Sequence, residues 1–437
     1  MKLRRRCPGR CPVWMAVAAG LILGLGLMAG CAPSPELNVL GYLVARRLGT
    51  LDPAAQHRGP VGSLEGIVTS GGRPLAGATV VVAERLGRPH AAQTDAAGRF
   101  RLDGIPVGQY VPAAVAPGHQ EMVPRDWLGL ARLVTIRGGQ VTQAPPLALQ
   151  PYLPPPLPED LAGAVALTHT GTWTATTNFP PGAAAQVMAF SFQWAGAQVD
   201  SLRLYLPPSA QEGESFPWLF MVYPTHVDNW QPVSVAFASQ GYAMVAISPV
   251  GERGMDIDAH TRDARVAFEL ARQGALSRHI LSGQAIFLGG SFSSAIVPRL
   301  LRDVGEHAAA WVSVGGISNA FSLAADFYAG RLEMPPQYEL AVPALGPPNV
   351  YPLPFLRASP VYWAGDLPPT MLVHTDADRI APITQAYEFE AALRAAGVPV
   401  QVYYYQDVSH YLQIGEDLTD VGVEMYYRIL EFIEVYR

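Results

Sequence analysis

Hydrophobic and polar positions change rhythm three times along this 437-residue chain. Residues 12–30 are apolar and free of charge, a run long enough to be taken for a membrane span. From Ser63 short β-rich runs alternate with turn residues: 64–69, then Ser70-Gly-Gly-Arg-Pro74, then 78–83, and later Gly98-Arg-Phe100 and Ile105-Pro-Val-Gly108-Gln-Tyr110. Strands this short with turns this regular predict a small all-β sandwich. From about Ala164 the pattern becomes α/β. A leading hairpin is predicted at 187–194 and 198–205, followed by buried strands at 218–223, 243–247, 285–288, 308–313, 370–374 and 398–405. Helices are predicted at 233–240, 263–273 and 383–396, closed by Gly241, Gly274 and Gly397, and from Ser294 onward. Such alternation means a mostly parallel sheet with helices on both faces, and functional residues at the carboxyl ends of its strands.

The connecting stretches divide the chain. Residues 1–31 read as an export signal, 32–61 as a tether, 62–143 as the sandwich, 144–163 as a proline-rich linker and 164–437 as the α/β domain. Within the tether, Leu37, Leu40, Tyr42, Leu43 and Leu48 are spaced like a short amphipathic helix that docks on the body of the protein. So many prolines between Ala144 and Pro158 predict an extended, semi-rigid spacer. An insertion at about 317–357 carries Phe321, Phe327, Tyr328, Tyr338, Tyr351 and Phe355. These rings either wall the site as a cap or pack the insertion onto the body.

Composition narrows the chemistry. The chain carries 30 basic and 36 acidic residues. The first 31 residues hold five of the basic ones (Lys2, Arg4, Arg5, Arg6, Arg10) and no acid, leaving 25 against 36, a net charge of −11. That balance argues against a nucleic-acid partner and against a polybasic membrane patch. Lys2 is the only lysine, so a Schiff base or a serine–lysine dyad is excluded beyond the signal. Cysteine occurs at 7, 11 and 31 only. Met28-Ala-Gly-Cys31 resembles the bacterial lipobox, with Met28 where leucine is usual. The resemblance implies cleavage before Cys31, a diacylglyceryl thioether on it, and a lipid-anchored protein outside the cytoplasm, on the bacterial membrane or cell surface. An uncleaved anchor helix is the other reading of the same segment.

The chemistry lies in three strand ends. Gly289-Gly290-Ser291-Phe292-Ser293 joins a predicted strand to a predicted helix, as in the nucleophile elbow of serine hydrolases, with serine in place of the last glycine of Gly-x-Ser-x-Gly. His374-Thr-Asp376-Ala-Asp378 follows the next-to-last strand and Asp407-Val-Ser-His410 the last. A serine, then an acid, then a histidine is the α/β-hydrolase order. From about residue 185 the chain resembles that superfamily, nearest the prolyl oligopeptidase and dienelactone hydrolase catalytic domains, through Ser359-Pro360, the His374-to-Pro382 run and Ser409-His410. The resemblance implies Ser291 as nucleophile, His410 as base and Asp378 as the acid, with Asp376 as runner-up. It implies backbone oxyanion donors at Phe292 and, in register with a His-Gly-Gly-Gly-Trp motif whose glycines are replaced, at Val227; the side chains of Tyr223 or His226 are alternatives. Residues 62–150 resemble the carboxypeptidase regulatory-like domain at Gly66, Pro74-Leu-Ala-Gly-Ala78, Thr94-Asp95, Gly98, Phe100, Gly108, Tyr110 and Gly118, which implies a fold and no reaction.

The expectation is therefore a serine hydrolase acting on a small-molecule ester or peptide substrate, with no cofactor and no metal. Asp256, Asp258 and His260 with His374, Asp376 and Asp378 could be read as metal ligands, but solvated loops account for them better. A competing reading from another class is an inert hydrolase fold whose sandwich binds a partner or a glycan.

Overall fold

The computed structural model describes residues 35–49, 59–410 and 419–437; Cys31 and the rest of the export segment lie outside the described residues. The first element among the described residues is the helix α1 (Pro35–Leu48). The sandwich follows in short strands: β1 (Val61–Ser70), β2 (Arg73–Pro74), β3 (Thr79–Ala83), β4 (Pro89–Gln93) and β5 (Arg99–Pro106). It continues with β6 (Gly108–Tyr110), β7 (Ala113–Val115), β8 (Val134–Ile136), β9 (Val141–Gln143) and β10 (Leu147–Leu149). One sheet gathers β2, β5, β9 and β10 around β1, and a second has the order β4-β3-β7. β10 pairs in parallel with β1 through Val68–Leu147, so the last sandwich strand lies inside the stretch expected to be a linker. The prolines beyond it are extended but not free. Tyr152 donates from its hydroxyl to Asp303 at 2.5 Å, and Arg265 donates to the Pro155 carbonyl.

The large sheet contains β11 (Thr168–Thr176), β12 (Ala184–Trp194), β13 (Ala197–Leu206), β14 (Trp218–Val222), β15 (Ala243–Ile247), β16 (Ala285–Gly290), β17 (Ala308–Val314), β18 (Thr370–Thr375) and β19 (Val400–Tyr405). Its order is β11-β12-β13-β15-β14-β16-β17-β18-β19. The first three strands pair antiparallel and the rest run parallel. Period-two burial gives each central strand two apolar faces. Phe220 and Val222 of β14 join the core that holds Phe268 and Leu300 of the helices Ile257–Arg272 and Val297–Val304. Leu219 and Met221 join the core that holds Phe237 and Ile429 of the helices Gln231–Ala238 and Asp420–Val435.

The sandwich is not a separate bead. Val81 and Ala83 of β3 and Ala113 and Val115 of β7 are buried in the same core as Phe268 and Leu300, while Val80 and Val82 turn into the sandwich's own core. At this junction Arg302 is almost fully buried, ion-paired to Glu121 and to Asp366 at 2.8 Å, and donating to the His119 carbonyl. Its guanidinium lies 4.1 Å from the Tyr152 ring centroid and 4.7 Å from that of Trp363. A delocalised cation between two rings is a geometry that arginine, and not lysine, satisfies.

Candidate active site

Ser291, the expected nucleophile, is held in a strained backbone conformation. β16 enters buried, and Ser291 then adopts φ +49°, a left-handed conformation uncommon for a residue with a Cβ. Gly290 must be glycine, because a Cβ there would stand 2.1 Å from the Val314 carbonyl oxygen on the neighbouring strand. The Ser291 N–H donates to the Gly315 carbonyl at 3.2 Å, which ties the elbow to the end of β17. Ser293, the departure from the glycine pattern, has a structural use. Its buried hydroxyl accepts from the Gly290 N–H and donates to the Gly290 carbonyl, both at 2.8 Å, and so closes the turn upon itself.

The structure brings all three expected groups together. His410 Nε2 lies 2.8 Å from Ser291 Oγ, and His410 Nδ1 lies 2.6 Å from Asp378 Oδ2. The other carboxylate oxygen, Oδ1, accepts from the Ile380 and Ala381 N–H groups at 2.8 Å each. The Asp378 carboxylate has no solvent exposure, so three donors satisfy it in place of water. An acceptor at Nδ1 places the imidazole proton there and leaves Nε2 as the base facing the serine.

Asp376, the alternative acid, accepts from the Asp407 N–H at 2.9 Å, and the Thr375 hydroxyl donates to the Val408 carbonyl. Both contacts hold the loop that carries His410, and Asp376 does not meet the His410 ring as Asp378 does. His374 donates from Nε2 to the Ala381 carbonyl at 2.7 Å and lies 3.5 Å from Asp378 Oδ2. Burial lowers its pKa and favours the neutral ring, which leaves the Asp378 charge to His410. Gly315, at φ +56°, was not singled out in the sequence. A Cβ there would come within 3.4 Å of the His410 ring and 3.6 Å of Asp378. The visible signal was the Gly315-Gly316 pair at the end of an apolar strand.

The segment after β14 carries the remaining expectations. The Tyr223 N–H is taken by the Ile247 carbonyl and Pro224 has none, so neither donates to an oxyanion. The Tyr223 side chain is fully buried against Ser234, and the His226 side chain points outward as the cap of the 3-10 turn Val227–Trp230. Val227 opens that turn with its side chain buried. Phe292, in the first turn of the 3-10 segment Ser291–Ala295, has an N–H that no intrahelical carbonyl can reach. Its ring meets His260 edge-on at 6.0 Å and stacks on Tyr338 at 5.8 Å. Tyr338 is thus the insertion's contact with the elbow. Phe321, Phe355 and Tyr328 are instead buried in the core.

The residues of the metal reading are used elsewhere. Asp256 caps the helix Ile257–Arg272 by accepting from the Ala259 N–H, Asp258 pairs with Arg299 and Arg357, and His260 bonds to the Gly254 carbonyl. Residues 256–260, expected in a solvated loop, are the cap and first turn of that helix.

The sheet order, the elbow and the linked Ser291, His410 and Asp378 define an α/β-hydrolase fold carrying a Ser-His-Asp arrangement of the serine hydrolases. Residues 63–145 match the family model of the carboxypeptidase regulatory-like domain. Among solved structures, the chain is similar to an acylaminoacyl peptidase of Pyrococcus horikoshii at 15% identity and a TM-score of 0.46, covering 82% of this chain and 54% of that one. It is also similar to Thermogutta terrifontis esterase 2 phosphonylated by sarin, at 17% identity and a TM-score of 0.43, covering 54% of this chain and 90% of that one. The chain thus spans about half the length of the peptidase. No curated protein matches its sequence.

Proposed function

We propose that this protein is a surface-anchored serine hydrolase that cleaves carboxylic esters or peptide bonds by acyl transfer. The observation that carries the reading is the strained Ser291, whose hydroxyl lies 2.8 Å from His410 Nε2. In the first step Ser291 Oγ bonds to the carbonyl carbon, its proton passes to His410 Nε2, and the carbonyl oxygen becomes an oxyanion. The Asp378 carboxylate stabilises the imidazolium. The Phe292 N–H, with Val227 as the second donor, holds the oxyanion. Collapse breaks the bond to the alcohol or amine, which takes the proton from His410. Water then releases the acyl group by the same steps in reverse roles. The side chains present supply every proton transfer in this sequence.

The resemblance to prolyl oligopeptidase and dienelactone hydrolase domains supports peptides and esters alike. Hydrolysis of p-nitrophenyl butyrate and of an N-acyl peptide anilide, beside His410→Ala, separates the two. Turnover of either one, lost in the variant, is the expected result. Turnover of neither would favour the inert, partner-binding alternative, which the replaced glycines at 227–229 support. The lipobox-like Met28-Ala-Gly-Cys31 supports a diacylglyceryl anchor. Palmitate incorporation abolished by Cys31→Ser is the expected outcome, and a protein that incorporates none would be held by an uncleaved helix or would not be anchored.

A further inference from the structure

The helix α1 has two apolar faces, and the described residues cover only one of them. On the inner face, Tyr42 packs on Phe327 and Tyr328 with ring centroids 5.4 and 6.0 Å away, and Asn38 donates to the Pro343 carbonyl at 2.8 Å. Arg46 pairs with Glu339. On the outer face, at 100° per residue, Leu40, Val44, Leu37 and Leu48 form one apolar stripe about 80° wide, bordered on one side by Arg47, Glu36 and Leu43. Leu40 is 52%, Val44 50% and Leu48 69% exposed. A single exposed leucine needs no explanation, but four large apolar residues side by side on one helix face, bordered by Arg47 and Glu36, do.

The occupant follows from what lies next to it in the chain. Cys31 closes the charge-free run of residues 12–30 and stands four residues before Pro35. Four residues reach at most about 14 Å, so whichever form the anchor takes, α1 starts within that distance of the bilayer surface. A helix with leucines on one side and a flanking arginine lies in the interface plane, with its apolar face among the acyl chains and its cation among anionic headgroups.

We propose that the outer face of α1 rests on the lipid bilayer. This inference rests on the membrane-anchored reading of residues 1–31. It makes the helix a plate between membrane and enzyme: one side meets lipid, and the other meets the insertion whose Tyr338, next to Glu339, stacks on Phe292 beside the nucleophile.

The test uses the full chain in the bacterial membrane, with a photoreactive benzophenone side chain placed in turn at Val44, Leu48 and Tyr42. Adducts are identified by mass spectrometry. Lipid adducts from positions 44 and 48 exceed those from position 42 by at least about ten-fold if the outer face lies at acyl-chain depth. Position 42 instead cross-links to the peptide that contains Phe327 and Tyr328. In a membrane-bound chain, adducts of 44 and 48 to a second copy, to residues of the same chain, or to water only overturn the proposal and leave the anchor intact. Lipid adducts from position 42 overturn it as well, because the helix is then not docked. A chain recovered wholly in the soluble fraction refutes the anchor, and the proposal with it.

Discussion

Asp378→Asn tests the geometry most sharply, because the structure fixes how the new amide must orient. Oδ1 of Asp378 accepts two backbone N–H groups, from Ile380 and Ala381. The asparagine oxygen has to stay there, since an NH2 group facing two N–H donors would leave three buried donors without acceptors. The amide nitrogen therefore takes the Oδ2 position, 2.6 Å from His410 Nδ1. It can only donate, so Nδ1 becomes the acceptor and the imidazole proton moves to Nε2. That nitrogen then points a hydrogen at Ser291 and cannot take its proton. The expected loss is about 10⁴-fold in kcat, which is about 5.4 kcal/mol in activation free energy. KM and the unfolding midpoint stay near the wild-type values, because shape and hydrogen-bond count are preserved. The assay is steady-state hydrolysis of an activated ester at pH 7 to 8 together with a denaturant melt. A folded variant that keeps more than about a tenth of the wild-type kcat would refute the role given to Asp378.

Three further outcomes follow from the same geometry. Gly290→Ala drives a methyl group into the Val314 carbonyl, and the overpacking costs at least about 1–3 kcal/mol of stability, read as a lower unfolding midpoint with loss of activity. Arg302→Met strands Glu121 and Asp366 in the junction between sandwich and hydrolase at a cost of about 3–5 kcal/mol, and adding Glu121→Gln restores part of it; denaturant melts of the single and double variants check both. Burial lowers the His374 pKa below 6.5, so between the two values the unfolded chain binds more protons than the folded one and stability falls as pH falls. His374→Gln, which can still donate to the Ala381 carbonyl, loses less Tm between pH 7 and pH 5 than the wild type does.

The central strands were legible because a parallel strand buried on both faces is apolar throughout, as in Trp218–Val222 and Ala243–Ile247. The edge strand β11 was not read. Its Thr168-His-Thr-Gly-Thr-Trp-Thr-Ala-Thr is largely exposed, and an exposed polar strand carries no burial pattern. The C-terminal helix was also passed over, although Met425, Ile429, Phe432 and Ile433 repeat at helical spacing. Order along the chain was enough to name Ser291, Asp378 and His410, because each follows a strand of one parallel sheet. It could not rank Asp376 against Asp378, since only the turn at Ile380 and Ala381 decides which carboxylate faces His410. The aromatic residues of the insertion were equally ambiguous. Ring content predicts burial but not the neighbour, and of those six Tyr338 is the one stacked against the elbow. The shared core of the two domains left its trace in β3 and β7, whose residues, apolar but for Thr79, are all buried as if both sides were covered.

The central claim is that Ser291 is an activated nucleophile. Incubation of the purified protein with a fluorophosphonate probe, followed by peptide mass spectrometry, tests it directly. The account predicts a single adduct on the peptide containing Ser291, absent from Ser291→Ala and strongly slowed in His410→Ala. A folded wild-type protein that forms no adduct, or one whose labelling persists in Ser291→Ala, would contradict it.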